Sequence, residues 1–291
     1  LRDKTPFLLL AKTEAKMRLK VAFQGETGAY SEAAVLGYFG ENISPIPNPS
    51  FEQAFTAVVS GECNFGVLPI ENSLAGSIHR NYDLLLENNL HIVGEQFVRV
   101  KHCLIGLPGT TKANIKKVIS HPQALAQCDH HLRALGVATE AVYDTAGSVR
   151  IVKDKCDPTL AAIASARAAQ VYEMSILEEG IEDNPANYTR FLVLAREPVD
   201  PAGEAKTTLV FTLKNVAGAL FKALSVFALR DIDLTKIESR PLPGSPWEYL
   251  FYIDFVGHLS DPNCARALDH LGEMATMLRV LGTYPRFHWN E

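Results

Sequence analysis

The chain has 291 residues, 47% of them hydrophobic and 21% charged, with a net charge of −5; this is the balance of a globular chain of about two domains. It has no basic run or stripe of the kind that marks a nucleic-acid footprint, and no stretch approaches the roughly 20 apolar residues of a membrane span. Five cysteines, Cys63, Cys103, Cys128, Cys156 and Cys264, are odd in number and form no C-x-x-C pair, which points to a reducing compartment with the thiols as small core residues.

Residues 1–19, rich in Lys and Arg, read as a targeting remnant, a tag scar or a frayed helix and are set aside. Lys20 to Gln24 reads as a first strand, Ala29 to Phe39 and Phe51 to Val59 as helices, and Phe65 to Leu68 as a buried strand ending at Pro69. A helix over 82–86 and a strand over 90–100 complete the first lobe. The pattern restarts after Lys101. Strands are expected at 103–107, 115–119, 140–143 and 160–164, and helices at 122–135, 145–153 and 166–172. Pro122 stands in a first helical turn, where its missing N–H costs nothing. A last strand is expected over 190–196. Short strands alternating with amphipathic helices make an α/β region. The spacing predicts two lobes, 20–99 with 180–197 and 100–179, facing a cleft.

Residues 198–206, within the stretch EPVDPAGEAK, read as a linker. Beyond it, strands at 207–213, 233–240, 247–256 and 278–284 and helices at 218–229 and 264–276 give the order βαββαβ, a ferredoxin-like unit over 207–291.

Several polar clusters stand at strand ends and helix starts. Gly25-Glu26-Thr27-Gly28 is either an anion-friendly turn or a tight turn that needs glycine; it lacks the Lys of a phosphate loop and the third glycine of a dinucleotide fingerprint. Glu71, Asn72 and Ser73 follow a buried strand, as ligand contacts or as caps. In SHPQALAQC, Ser120 is a candidate helix cap and Gln123 a neutral donor and acceptor. His121 is more readily structural than a general base, because no carboxylate partner is identifiable. YDTAGS, 143–148, is a second strand-to-helix corner. NPANYTRFLVLA places Thr189 and Arg190 at the front of an apolar strand, where they point to opposite faces. Asn187-Tyr188-Thr189 also fits a glycosylation sequon, which the cysteine usage argues against.

Taken together, GAYSEAA, PIENSLAGSI, SHPQALAQC, YDTAGS and NYTRF resemble the prephenate and arogenate dehydratases, and NVAGALFKAL with DIDLTKIESRP resembles their phenylalanine-binding ACT domain. The resemblance runs from about Lys20 to Tyr284. It implies an α/β fold with a two-lobed, periplasmic-binding-protein-like catalytic domain at 20–197 and a regulatory ACT domain at 207–291. It implies a lyase that expels carbon dioxide and a ring hydroxyl together, without cofactor or metal, turning prephenate into phenylpyruvate or arogenate into phenylalanine. By the same resemblance Thr189 donates to the leaving hydroxyl, with Asn72 and Gln123 as companions. Ser73, Ser120, Arg190 and Phe191 are implied as further substrate-binding residues. Asn215, Ala217, Gly218, Ala219, Leu220, Glu238, Ser239, Arg240 and Pro241 are implied to clasp phenylalanine between subunits of a homodimer or homotetramer. The implied partners are the substrate acid and phenylalanine, with no nucleic acid and no membrane, in a bacterial cytoplasm or plastid stroma. The alternative is a two-lobed sensor of an amino acid or carboxylate without turnover, since fold does not fix function.

Overall fold

The computed structural model describes residues 18–289, so all but the last two residues of the basic 1–19 segment lie outside the described residues. The first region runs β1 (Lys20–Gln24), α1 (Tyr30–Phe39), β2 (Ser44–Asn48), α2 (Phe51–Val59), β3 (Phe65–Asn72), β4 (Gly76–Ser77), α3 (His79–Glu87) and β5 (His91–Arg99). The second runs β6 (Cys103–Gly106), β7 (Lys117–Ser120), α4 (Pro122–Gln127), α5 (Asp129–Leu135), β8 (Ala138–Ala141), α6 (Thr145–Lys155), β9 (Leu160–Ala164), α7 (Ala166–Tyr172) and β10 (Ser175–Glu179). The chain then returns as β11 (Tyr188–Ala195). Last come β12 (Ala205–Leu213), α8 (Ala219–Ala228), β13 (Leu234–Pro241), β14 (Tyr249–Val256), α9 (Pro262–Met274) and β15 (Ala275–Pro285), in the order βαββαβ.

Three sheets result. The first has the order β2-β1-β3-β11-β5, with β4 on β3; the second is β10-β6-β9-β7-β8; the third is β13-β14-β12-β15. Val21, Ala22 and Phe23 of β1 are fully buried, and all five residues of β9 are buried, because each strand lies inside its sheet with helices packed over it. Local chemistry starts the helices. The Ser50 hydroxyl accepts from Gln53 N, the Asp144 carboxylate from Gly147 N and the Ser165 hydroxyl from Ala168 N, each occupying an N–H that the first turn leaves free.

The structure departs from the expected elements at four places. β2, in a segment where no element was expected, carries two prolines in five residues and pairs with β1 at the sheet edge, where a missing N–H is tolerated. β3 runs through Pro69 to Asn72; its ladder with β1 ends at Val67, before the proline can interrupt it. The helix expected over 122–135 breaks at Cys128 (φ −121°, ψ 20°) into α4 and α5. β10, where no strand was expected, pairs with β6 across a bulge.

The chain divides into two compact units, one of residues 18–84 and 96–191, the other of 85–95 with 192 onward. Inside the second unit the Lys206 ammonium lies 2.8 and 2.9 Å from the two carboxylate oxygens of Glu95, both side chains being buried. Arg279 donates to the carbonyls of Leu86, in the last turn of α3, and Asn88, just past it. A Cβ on Gly282 would stand 2.0 Å from the carbonyl oxygen of Ile92, so β15 approaches this backbone as only glycine permits.

Candidate active site

A pocket of about 370 Å³ opens in the first unit, within the size range of small-molecule sites. One wall is Tyr30 and Ser31 at the start of α1, Asn72 at the end of β3, the Ala75–Ile78 turn, and Thr189 and Phe191 on β11; the other is His102, His121, Gln123, Gln127 and Thr145. Among the described lining residues there is no Lys, Arg, Asp or Glu. The polar surface is therefore hydroxyl, carboxamide and imidazole.

Asn72 is the best determined of these side chains. Its Oδ1 accepts from the backbone N–H of Leu74 (3.1 Å) and Ala75 (2.9 Å). That fixes the amide's orientation and aims Nδ2 at β11, where it meets Asn187 Oδ1 (2.8 Å), Thr189 Oγ1 (3.0 Å) and the Tyr188 carbonyl (3.2 Å). The Thr189 oxygen thus accepts from an amide, and its own proton is free to be given elsewhere. An accepted hydrogen bond polarises the O–H that carries it, so the hydroxyl becomes a better donor.

On the opposite wall, His121 Nδ1 accepts from Gln123 N (3.2 Å). The imidazole is the cap of α4, the place expected for Ser120. Gln123 is exposed in the first turn of that helix and lines the pocket. His102 is buried between Tyr30 and Gln127: Nδ1 is 3.0 Å from the phenol oxygen and Nε2 is 2.9 Å from Gln127 Oε1. Burial holds the His102 imidazole below its ordinary value of 6.5, against the pull of the Gln127 bond and of Glu182. Burial likewise pushes the Tyr30 phenol well up.

The structure brings Asn72, Gln123, Thr189 and Phe191 to one pocket. The other three candidates stand behind it. Ser120 is fully buried and donates to the Ile163 carbonyl (2.6 Å), pinning β7 to β9. Ser73 accepts from Tyr188 N and donates to the Ala186 carbonyl, fastening β3's end to β11. Arg190 points away from the pocket and pairs with Glu71 at 3.1 Å, as strand alternation requires. Asn187 is fully buried, which removes the sequon from the folded chain. Neither glycine-containing corner is an anion cradle: Gly28 N is taken by Glu32 (2.6 Å) and Gly147 N by Asp144.

Sequence reasoning missed Tyr30, His102, Gln127 and Thr145 as lining residues. Tyr30, Gln127 and Thr145 stand inside motifs already singled out, but His102 has no local signal and reaches the pocket only because β6 begins beside it. Among the described residues no group of three or more His, Cys, Asp and Glu is placed to hold a metal ion.

In the C-terminal sheet, Thr212 of β12 and Arg240 of β13 both lie opposite Leu250 of β14. The 215–220 segment, which leads from β12 into α8, and the 238–241 strand end therefore emerge at the same end of the sheet, one strand apart. Val216, Phe221, Leu229, Ile237, Trp247 and Tyr249 are among the exposed large apolar side chains of this unit.

The family model described as prephenate dehydratase matches residues 21–199, and that of the ACT domain matches residues 207–273. The chain is 50% identical to arogenate dehydratase/prephenate dehydratase 2, chloroplastic, of Arabidopsis thaliana, over 92% of this chain and 73% of the relative. It is 48% identical to arogenate dehydratase 2 of Petunia hybrida, over 92% and 72%. A prephenate dehydratase from Arthrobacter aurescens, solved in complex with L-Phe, superposes with a TM-score of 0.84 at 32% identity, over 92% of this chain and 90% of that one. A structure titled as GqqA, a quorum quenching acylase, superposes at 0.85 and 39% identity, over 91% and 97%. With its pocket of neutral donors on the dehydratase segment and an ACT match following in sequence, the chain belongs to the prephenate dehydratase family.

Proposed function

We propose that the chain is a carbon–oxygen lyase of phenylalanine biosynthesis that decarboxylates and dehydrates prephenate, arogenate or both. The observation that carries this reading is the Asn72–Thr189 pair, a polarised hydroxyl with a free proton on a wall without fixed cations. In the reaction, the bond from the ring to the carboxylate breaks, its electron pair enters the ring, and the ring C–O bond breaks at the opposite carbon. Carbon dioxide departs, and the hydroxyl leaves with the C–O electron pair, taking up a proton from solvent to become water. Thr189 gives a hydrogen bond to the departing oxygen where negative charge develops, a contribution of several kcal/mol in a dry site. Gln123 and Asn72 orient the acid by neutral hydrogen bonds. A Lys or Arg on the departing carboxylate would stabilise the ground state and oppose its loss. Aromatisation supplies the driving force.

An acylase needs a nucleophile paired with a general base. The Thr189 oxygen is instead bonded to a carboxamide whose other end is tied to two backbone N–H groups, so the lyase reading stands over the acylase named in one structural neighbour's title.

The exposed apolar surface of the C-terminal unit supports a homodimer or homotetramer through that face. Phenylalanine then binds between the 215–220 and 238–241 segments of adjoining subunits and shifts an open-to-closed balance, which requires unequal affinity for the two states. Relatives whose names carry the word chloroplastic support a plastid setting; among the described residues no helix is long and apolar enough to cross a membrane.

The test is direct. Pure protein is given prephenate and arogenate separately, and phenylpyruvate and phenylalanine are quantified, with and without added phenylalanine. Turnover of at least one acid, altered by phenylalanine, is expected. Absence of both products leaves the sensor alternative. Phe221→Glu and Ile237→Glu are expected to reduce the assembly mass in light scattering; a wild-type monomer would remove the interface.

A further inference from the structure

We propose that His102 is a positioning residue whose protonation selects which end of the Gln127 carboxamide faces the pocket. This rests on the reading of the pocket as a site for a substrate acid with two carboxylates. The logic is a count of protons along one chain of contacts. The Tyr30 hydroxyl lies 2.8 Å from the Lys101 carbonyl oxygen. A carbonyl can only accept, and a phenol has one proton to give, so the proton belongs on that bond. The phenol oxygen is also 3.0 Å from His102 Nδ1. With its proton spent it must accept there, so Nδ1 carries a hydrogen.

The other ring nitrogen then decides the rest. Nε2 lies 2.9 Å from Gln127 Oε1. In the imidazolium, Nε2–H donates to that oxygen, and the amide's two N–H groups are left for the pocket that Gln127 lines. In the neutral ring with Nδ1–H, Nε2 is a bare acceptor. It then demands the NH₂ group, and the carboxamide turns its oxygen to the pocket. The first arrangement welcomes a carboxylate and the second repels one. Gln127 itself stays in place, since its own carbonyl accepts from Asp183 N at 2.8 Å.

The charges around the ring are few. The His102 backbone N–H donates to Glu182 Oε2 at 2.9 Å, and Arg99 stands 3.9 Å from the same carboxylate. Cys103 and Cys128 are buried thiols, both held neutral by burial. Lys101 and Glu179 pair with each other at the surface. Burial disfavours the imidazolium in the free protein, so a carboxylate bound at Gln127 brings a proton with it, and the acid's apparent affinity falls as pH rises.

The experiment uses the full chain with ¹⁵N-labelled histidine, His102 being assigned by its absence in His102→Gln. The free protein near pH 8 is expected to show His102 as the Nδ1–H tautomer; an Nε2–H tautomer overturns the proposal. In turnover, wild-type KM is expected to rise by about tenfold per pH unit above the titration, while kcat changes little. His102→Gln offers Gln127 a permanent donor and is expected to lose that slope with kcat within about tenfold. A wild-type slope in this variant also overturns the proposal. Should His102→Gln fail to fold, Gln127→Met serves: its KM is expected to be raised and insensitive to pH while the His102 signal still titrates, and a retained KM slope counts against the proposal. Wild-type protein that turns over neither acid sinks the dehydratase reading, whereas the tautomer spectrum is read without turnover.

Discussion

Replacing Thr189 by valine removes one hydroxyl and keeps the branched shape. The consequence for folding is read from the bonds around it. Asn72 Nδ2 has two hydrogens and, in the variant, still has two acceptors, Asn187 Oδ1 at 2.8 Å and the Tyr188 carbonyl at 3.2 Å. No buried donor is orphaned, so the stability cost is that of one ordinary hydrogen bond, about 1 kcal/mol. The consequence for turnover is larger. Loss of one donor to a developing oxyanion costs on the order of 10²–10³ in kcat, about 2.7–4 kcal/mol. The interaction grows only as the C–O bond breaks, so kcat and kcat/KM are expected to fall together. Thr189→Ser restores the donor and is expected to stay within about tenfold of wild type. Steady-state product formation over a substrate series separates the two constants, and urea unfolding checks the fold. The reasoning fails if Thr189→Val retains more than a tenth of wild-type kcat, or if the loss falls in KM alone.

Lys206→Met leaves the Glu95 carboxylate buried without its ammonium and is expected to cost about 3–5 kcal/mol, whereas the double variant with Glu95→Leu should recover most of it; urea midpoints measure both, and a single-variant loss under about 1 kcal/mol would contradict the buried pair. Of the five thiols only Cys156 is exposed, and burial pushes Cys103 up to about 11. Native protein at pH 8 should therefore give one fast equivalent with a thiol reagent and the remainder only on unfolding; two or more fast equivalents refute this. Glu178 is held below the ordinary glutamate value of 4.5, chiefly by its hydrogen bond from Lys112, and Glu52 by one from Arg80. Both are depressed in the folded state, so their stabilisation is present above 4.5 and is lost as pH falls through the lower folded values. Midpoints measured from pH 6 to 3 should decline in that direction, and Glu178→Gln should flatten the decline.

Much of this protein is written locally. Alternation and helical spacing are properties of neighbouring residues, so β1, α2, β9, α7 and the βαββαβ order of the C-terminal unit are legible in the chain itself. Polar residues at strand ends and helix starts made Asn72, Gln123 and Thr189 candidates, with caps and turns as the alternative, and the resemblance to the dehydratases singled them out. What depended on partners was not legible. β2 is a strand because an edge excuses its prolines, and β10 is one because β6 offers it a ladder. Ser120 and Ser73 carry the same hydroxyl as Thr189, yet they are spent on the Ile163 and Ala186 carbonyls of distant segments. His102 and Tyr30 are 72 positions apart and meet only where two lobes close on one pocket. Sequence determines what each side chain is able to donate or accept. Tertiary structure decides which of those groups are already satisfied, and only an unspent proton facing a cavity is left for chemistry.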